Sequence, residues 1–272
     1  MILSARQCAS SRAPRALSVW LLLGLLQGCV TETTGGFASR ADSQALANYI
    51  ELAGGYLGEG DLHNARRHLD NADAIDPDNS AVAALWGLVY DREGETALAE
   101  QHFRRALQLD VANAQARNNY AAFLFAQARY QEAYAQLQEV VTDTAYPGRA
   151  QAYENLGLSA LRLQRVVEAE QAFNRALQLN DRQLRASLEL TGLNLERGNV
   201  LQARQYYRNY LTLLQLDRLE QDARGLWLGI RLENALGNID NLYAYGARLE
   251  AQFGASGEYA LYLELLDTLE DD

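Results

Sequence analysis

The sequence contains no lysine and has few prolines, cysteines and histidines. All 24 basic residues are arginines, against 35 acidic residues, so the 272-residue chain has a formal net charge of −11. Because a negative field of this size repels a phosphate backbone, the composition argues against nucleic-acid binding. With only 3 prolines and 49% hydrophobic residues, the chain is typical of a folded and mostly helical protein.

Because histidine and cysteine are scarce, the sequence contains no recognisable catalytic or metal-binding cluster. His63, His68 and His102 lie among arginines and asparagines, and His63 and His68 are five residues apart rather than four, the spacing of a two-histidine metal site. There is no Gly-rich phosphate loop and no Ser-His-Asp signature. We therefore expect the histidines at surface helix positions, and we expect no enzyme activity, cofactor, metal or small-molecule substrate.

Residues 1–28 have the organisation of a signal peptide. Three arginines precede an apolar run of 11 residues at 16–26. That run is shorter than the about 20 residues that a membrane-spanning helix needs, but it suits the core of a signal peptide. It ends in Leu26-Gln27-Gly28-Cys29, which resembles the bacterial lipobox except for Gln27. An ordinary secretory signal that contains a cysteine by chance is the alternative interpretation.

The lipobox resemblance implies that Cys29 carries an N-acyl diacylglycerol group, with acyl chains such as palmitate. Cleavage before Cys29 would leave 21 arginines against 35 acidic residues, a net charge of −14, and would remove Cys8. No disulfide could then form within the chain. Val30, in place of Asp, resembles the signal that sends a lipoprotein to the outer membrane. Three acyl chains would anchor it firmly there, since one chain binds only marginally.

Residues 29–45 are expected to link the lipidated cysteine to the folded part. The stretch Val30–Ser43 is rich in Thr, Gly and Ser and has no apolar period. This composition predicts a flexible tether.

From residue 46 onward, small residues recur at intervals of 34 to 36, and those of the second helices are followed by Leu, Phe or Tyr at +4 and by an apolar residue at +7. The small residues of the first helices are Ala53, Gly87, Ala121, Gly157 and Thr191, with Gly229 a weaker sixth. Those of the second helices are Ala65, Ala99, Ala133, Ala169 and Ala203. Gly60, Gly94 and Gly198 occupy equivalent turns, where glycine supplies a positive φ. An insertion at Tyr146-Pro147-Gly148 predicts one longer turn.

This pattern resembles the tetratricopeptide repeat (TPR), which implies an all-α, right-handed superhelical solenoid of about six helix–turn–helix units. The repeat array is expected over 46–256, in units at 46–79, 80–113, 114–149, 150–183, 184–221 and 222–256. The sixth unit is degenerate because no alanine occupies its second-helix site. The apolar spacing from Tyr259 to Leu269 predicts a capping helix within 257–272, ending in an acidic tail. A capped stack of this kind suggests a monomer.

In a TPR superhelix the first helices line the concave face. The candidate partner-binding residues are Ile50, Gly54, Leu57, Asn118, Asn119, Phe125, Glu154, Leu158 and Leu161. Small residues beside Ile and Leu would form an apolar slot for an extended segment or a helix. Two alternatives remain: the tether could fold back over the first unit, and the amides of Asn118 and Asn119 could bridge neighbouring helices instead of binding a partner.

One family resembles the chain along essentially the whole of its mature length. The resemblance rests on Ala116-Arg117, Asn118-Asn119-Tyr120, Phe123-Leu124, Arg129-Tyr130, Glu132-Ala133-Tyr134, Asp143-Thr144, Tyr146-Pro147, Glu154-Asn155-Leu156-Gly157-Leu158, Ala203-Arg204-Gln205-Tyr206-Tyr207, Leu228-Gly229-Ile230-Arg231-Leu232 and Tyr245-Gly246. These segments are similar to those of the type IV pilus biogenesis lipoproteins PilF/PilW, six-TPR pilotins of the outer membrane. The tether and the sixth unit depart from the family.

The resemblance implies that the protein helps the pilus secretin, PilQ, to reach the outer membrane or to multimerise there. Cys29 would then be the lipid anchor, and the TPR groove would hold a secretin segment. Two other functions remain open. One is a TPR lipoprotein that acts as an adaptor for peptidoglycan hydrolases, and the other is a β-barrel assembly component.

Overall fold

The computed structural model describes the backbone of residues 34–270 and the side chains of residues 41–269. This part of the chain is entirely helical apart from its turns. The helices are α1 (Thr34–Glu59), α2 (Leu62–Ile75), α3 (Ser80–Arg92), α4 (Thr96–Leu109), α5 (Ala114–Ala126), α6 (Tyr130–Val140), α7 (Arg149–Arg162), α8 (Val166–Leu179), α9 (Leu184–Glu196), α10 (Val200–Asp217), α11 (Ala223–Leu236), α12 (Ile239–Phe253) and α13 (Gly257–Glu270). The predicted signal peptide, Cys29 and the last two residues lie outside the described residues.

The first helix begins earlier than the sequence pattern predicted. α1 starts at Thr34, so residues 34–45 of the predicted tether are helical. Alanine, glutamine and arginine are frequent between 38 and 47, and these residues have high helix propensity. The prediction of a flexible tether is therefore wrong for residues 34–45. From residue 46 onward the chain forms one compact unit.

Polar side chains fix the start of several helices by accepting hydrogen bonds from free backbone N–H groups. Asp61 accepts from the N–H of Asn64 at 3.0 Å, ahead of α2. Asn79 and Asn113, which are 34 residues apart, cap α3 and α5 in the same way. Each such cap contributes about 1 kcal/mol to helix stability. The repeat thus recurs in its capping chemistry as well as in its core.

The predicted small residues lie where helices approach one another most closely. All five second-helix alanines are fully buried, and the first-helix positions are buried as well. A Cβ added to Gly87 would lie 2.8 Å from ring atoms of Phe103. A Cβ added to Gly157 would lie 2.5 Å from Cε1 of Phe173, the equivalent residue two units later. The first helices also pack side by side along the stack, from α3 to α11.

The turns inside the first five units share one left-handed residue. Gly60, Gly94 and Gly198 have φ of 80°, 81° and 74°, as predicted. The equivalent residues of the third and fourth units are Ala128 and Gln164, with φ of 57° and 60°. Because a Cβ disfavours this conformation, the repeat geometry imposes it on these two residues.

The predicted longer turn joins α6 to α7 and folds onto the repeat before it. Asp143 accepts a hydrogen bond from the N–H of Ala145 at 2.9 Å. The Tyr146 hydroxyl donates to Oε1 of Gln115 on α5 at 3.1 Å, and burial of the Tyr146 ring raises its pKa. The insertion therefore lengthens the connection without interrupting the packing of α5 against α7.

The sixth unit keeps the spacing of the repeat but exchanges its small and bulky positions. Leu242, Gly246 and Leu249 are buried at offsets of 0, +4 and +7, and Leu242 lies five residues after the left-handed Gly237, as Ala203 does after Gly198. Gly246 is the small residue of this helix, and the ring of Tyr262 on α13 occupies the space that a Cβ would need. α13 packs on both α11 and α12, as expected of a helix that closes the stack.

Candidate binding groove

Three of the predicted partner-binding residues meet on the face formed by the first helices. Phe125 on α5 lies beside Leu158 and Leu161 on α7, and Leu188 on α9 continues the apolar surface. We call the surface lined by these four residues, together with Ala122, Arg162 and Arg185, the central groove.

The central groove contains two depressions of different depth. A cavity of about 240 Å³ lies between α5 and α7 and is lined by Ala122, Phe125, Leu158 and Arg185. A second depression of about 410 Å³ extends from Phe125 across α9 to the start of α11. The first is smaller than the roughly 300 Å³ at which small-molecule sites begin, and the second is only slightly larger. These dimensions suit side chains of a bound segment.

Two arginines flank the apolar floor of the groove. The guanidinium of Arg162 lies 5.9 Å from the centroid of the Phe125 ring and 5.8 Å from that of Tyr130, within the range of cation–π attraction. Arg185 lines both depressions. Within residues 41–269, neither arginine has a carboxylate within 4.0 Å. In contrast, Arg224 at the same edge is paired with Glu189 at 2.5 Å.

The two predicted asparagines hydrogen-bond within the repeat array. Asn118 is buried, and its Oδ1 accepts from Nδ2 of Asn155 on α7 at 3.3 Å. Asn119 is half-buried and accepts from Nε2 of Gln115, one turn earlier, at 2.9 Å. Asn118 therefore bridges neighbouring first helices, which was the alternative role considered for it.

Glu154 lies inside the repeat stack and is not on the surface of the groove. It is 4% exposed, and its Oε2 accepts a hydrogen bond from the backbone N–H of Ala186 at 2.8 Å. Oε1 accepts from Nε2 of Gln151 at 3.0 Å. Since Gln183 at the start of α9 gives no capping hydrogen bond, Glu154 supplies the missing cap from α7. Its assignment as a groove residue is therefore corrected.

The first unit places its three predicted residues differently from one another. Leu57 is 5% exposed and belongs to the core formed by Ala53, Leu69 and Val82, so its assignment to the groove is wrong. It faces the second helix because it lies one turn beyond Ala53. Ile50 is half-buried against the same core. A Cβ added to Gly54 would meet no atom within 4 Å, so open space lies in front of this residue.

The candidate list omitted Arg185 and Leu188, although the sequence contained a signal for both. They lie 34 residues after Gln151 and Glu154, the equivalent positions of α7, where Gln151 is exposed and Glu154 is buried. The candidate list covered only the first, third and fourth units. Applying the same offset to the fifth unit would have found both residues.

Two histidines are less exposed than expected and occupy equivalent positions 34 residues apart. His68 stacks on Tyr56 with ring centroids 5.4 Å apart, and His102 packs against Tyr90 at 5.0 Å. The Nδ1 atoms of both are buried without a hydrogen-bond partner in the described part of the chain. Burial also lowers the pKa of His102. The expectation of plain surface histidines is therefore wrong for these two residues.

The paired helices, buried small residues and 34-residue offsets define a solenoid protein of the tetratricopeptide class. A profile of the tetratricopeptide repeat matches residues 150–182, which correspond to α7 and α8 with their flanking residues. Among residues 34–270, no helix is both long and apolar enough to cross a membrane.

Comparison with known proteins identifies the family. The type IV pilus assembly protein PilF of Pseudomonas aeruginosa is 37% identical over 247 residues, which cover 90% of this chain and 96% of that protein. The structure of Pseudomonas aeruginosa PilF matches with a TM-score of 0.76 and 36% identity, over 82% of this chain and 99% of that one. PilW, described as a widely conserved type IV pilus biogenesis factor, matches with a TM-score of 0.66 and 27% identity, over 81% and 99%. The chain belongs to the PilF/PilW family of tetratricopeptide-repeat type IV pilus biogenesis proteins.

Proposed function

We propose that this protein is a lipid-anchored pilotin of the outer membrane that binds the type IV pilus secretin and promotes its localisation or multimerisation. The observation that carries the proposal is the relationship to PilF and PilW along nearly the whole chain, including all of its repeats. A relative named for pilus assembly supports an envelope protein that acts on other pilus components. The protein would work as a monomer and without catalysis.

In this proposal Cys29 is acylated and holds the protein at the periplasmic face of the outer membrane. The support for this lies in the sequence, where Leu26-Gln27-Gly28-Cys29 follows an apolar run of signal-peptide length. Val30 at the next position favours transport to the outer membrane. The anchor would carry a bound secretin subunit along the lipoprotein route.

The secretin-binding surface is proposed to be the groove formed by the first helices. Phe125, Leu158 and Leu161 provide an apolar floor in its centre, and Ile50 with Gly54 provides a second apolar position in the first unit. An apolar groove between helices is suited to a helix or an extended segment of a partner. Asn119 is half-buried on α5, and its amide is proposed to hydrogen-bond the backbone of that segment.

The test is the amount of detergent-resistant secretin multimer in the outer-membrane fraction. Wild type would be compared with a deletion strain and with the deletion complemented by Cys29→Ser. We expect the multimer to be lost in the deletion and reduced in the unlipidated strain. Normal multimers in all three strains would exclude the pilotin function. Co-purification with peptidoglycan hydrolases, or a loss of viability, would then favour the adaptor or the β-barrel assembly function.

A matched pair of variants tests the groove itself. Leu158→Asp places a carboxylate on the floor of the central groove, whereas Leu201→Asp changes a leucine that is 74% exposed on α10. We expect the first variant to reduce the multimer and the second to leave it unchanged, at equal protein levels. Equal effects of both variants would remove the central groove from the proposal.

A further inference from the structure

The central groove combines an apolar floor with arginines that have no acidic partner within the described chain. Arg162 lies over Phe125 and Tyr130, and Arg185 lines both depressions. Of the 20 arginines between residues 41 and 269, 12 have no carboxylate within 4.0 Å, and Arg162 and Arg185 are the two of these that line the depressions of the groove. Because both arginines border the leucine floor, we expect a ligand bound there to carry negative charge.

The carboxylates nearest to the groove already have partners of their own. Glu189 accepts from Arg224, and Asp222 accepts from the N–H of Gly225 at 2.7 Å as the N-cap of α11. Glu154 is directed into the stack, where it caps α9. The acidic side chains of the groove are therefore held in place, and Arg162 and Arg185 remain available to a ligand.

Arginine recognises carboxylates with a planar pair of N–H donors, and apolar cavities recognise aliphatic or aromatic side chains. We propose that the central groove binds a protein segment in which an apolar side chain is followed or preceded within one turn by Asp or Glu. The apolar side chain would enter the 240 Å³ cavity beside Ala122 and Leu158, and the carboxylate would pair with Arg185 or Arg162. This proposal deepens the proposed function, because it states the chemistry of the partner segment.

The structure favours a peptide over a small anion, because the two arginines lie beside apolar side chains and not in a buried polar pocket. Phe125, Leu158 and Leu161 are only half-buried, and they would stay partly exposed to water if only an anion were bound. An acidic segment without an apolar residue would leave the same surface uncovered. Recognition therefore requires both an apolar side chain and a carboxylate in the bound segment.

The experiment measures the binding of three labelled twelve-residue peptides to the mature full-length protein in detergent, by fluorescence anisotropy. One peptide alternates leucine with glutamate, the second replaces glutamate with lysine, and the third replaces leucine with serine. We expect binding of the first peptide to be at least about tenfold tighter than that of the other two. It should weaken several-fold when the ionic strength is raised from about 0.05 M to about 0.5 M.

Charge-reversal variants locate the site on the protein. Arg185→Glu and Arg162→Glu should each weaken binding of the leucine–glutamate peptide by about tenfold or more, and Arg185→Gln by less. The control is Arg175→Glu on α8, an exposed arginine that hydrogen-bonds to Gln178 in its own helix. Circular dichroism would confirm that all four variants are folded. Peptide binding that is equal for all of the variants, or equal for the three peptides, would overturn the proposal.

The outcomes separate this inference from the pilotin function. If deletion of the gene removes the secretin multimer but the arginine variants bind the peptides normally, the pilotin function stands and the groove chemistry is wrong. If the deletion leaves the multimer intact but the peptides are discriminated as expected, the groove chemistry stands with a different partner. Concentration-dependent self-association that requires Arg185 would instead identify a second copy as the occupant and overturn a heterologous partner.

Discussion

Glu154 and Ala186 are joined by a hydrogen bond between two neighbouring units, in which a buried carboxylate oxygen accepts from a backbone N–H at 2.8 Å. Ala186 lies in the first turn of α9, where N–H groups have no partner within the helix. A carboxylate at this end of a helix also interacts favourably with its dipole. A side chain of the fourth unit thus caps the first helix of the fifth unit, so the stabilities of the two units are coupled.

Glu154→Ala is predicted to destabilise the protein by about 1–3 kcal/mol, because a buried N–H group loses a charged acceptor. We expect faster hydrogen exchange at the amide of Ala186 and a lower urea midpoint of unfolding. The control is Glu196→Ala, which changes an exposed glutamate on α9 and should alter stability by less than about 0.5 kcal/mol. Similar effects of both substitutions would show that the cap does not contribute.

Gly157→Ala is predicted to destabilise the stack by about 1–3 kcal/mol, since the new methyl group would lie 2.5 Å from Cε1 of Phe173. Shortening the opposing side chain by Phe173→Leu should relieve part of this cost. A double-mutant cycle in urea would then give a coupling energy of about 0.5 kcal/mol or more between the two sites. Gly55→Ala, which meets open space in α1, should be neutral or stabilising. A purely additive cycle would contradict the steric explanation.

Ala128→Gly is predicted to stabilise the protein by about 1 kcal/mol, because Ala128 has a φ of 57° that a Cβ disfavours. The equivalent residue in four other units, Gly60, Gly94, Gly198 and Gly237, is already glycine. Ala135→Gly, at an exposed position inside α6, should have the opposite sign and cost about 0.5–1 kcal/mol. Thermal and urea unfolding of the two variants provide the comparison. Destabilisation by both would mean that the strain at Ala128 is already relieved in the native protein.

The fold followed from the sequence because the repeat depends on small residues whose spacing can be read directly. Gly87, Ala121 and Gly157 were each placed correctly at helix crossings, as were the left-handed turns that contain glycine. The sequence does not indicate a left-handed turn at Ala128, because no glycine is present there. Packing with neighbouring units imposes the conformation. The exchange of small and bulky residues in the sixth unit likewise depends on Tyr262, which lies in the next helix.

The candidate site was harder to predict, because a groove position in the repeat can be occupied by a residue that serves the stack. Phe125, Leu158 and Leu161 were placed correctly on one surface. Glu154 and Leu57 were also predicted to line the groove but are buried, one as a helix cap and one in the core. Which role a residue takes depends on whether its neighbour leaves a backbone group or an apolar gap to be filled. For Glu154 this neighbour is Ala186, 32 residues away in the sequence, and for Leu57 the neighbours are Leu69 and Val82 in the next two helices.

His102 is predicted to make the protein less stable as the pH falls. Burial disfavours its imidazolium form and lowers the pKa of the folded state below the ordinary value of 6.5, more than the nearby Asp73 carboxylate raises it. The unfolded chain therefore binds more protons at this residue, so its contribution to stability is complete above about pH 6.5 and declines as the pH falls from there toward the folded pKa.

His102→Phe removes the titrating group and retains the ring contacts with Trp86 and Tyr90. We expect the loss of unfolding free energy between about pH 7.5 and pH 5.5 to be smaller in this variant than in the wild type. His63→Gln, at an exposed histidine, serves as the control and should follow the wild-type curve. The carboxylates that interact with neither histidine contribute equally to all three curves, so the difference between wild type and His102→Phe reports on His102 together with its neighbour Asp73. Parallel curves for wild type and His102→Phe would show that this histidine has the same pKa in the folded and unfolded states.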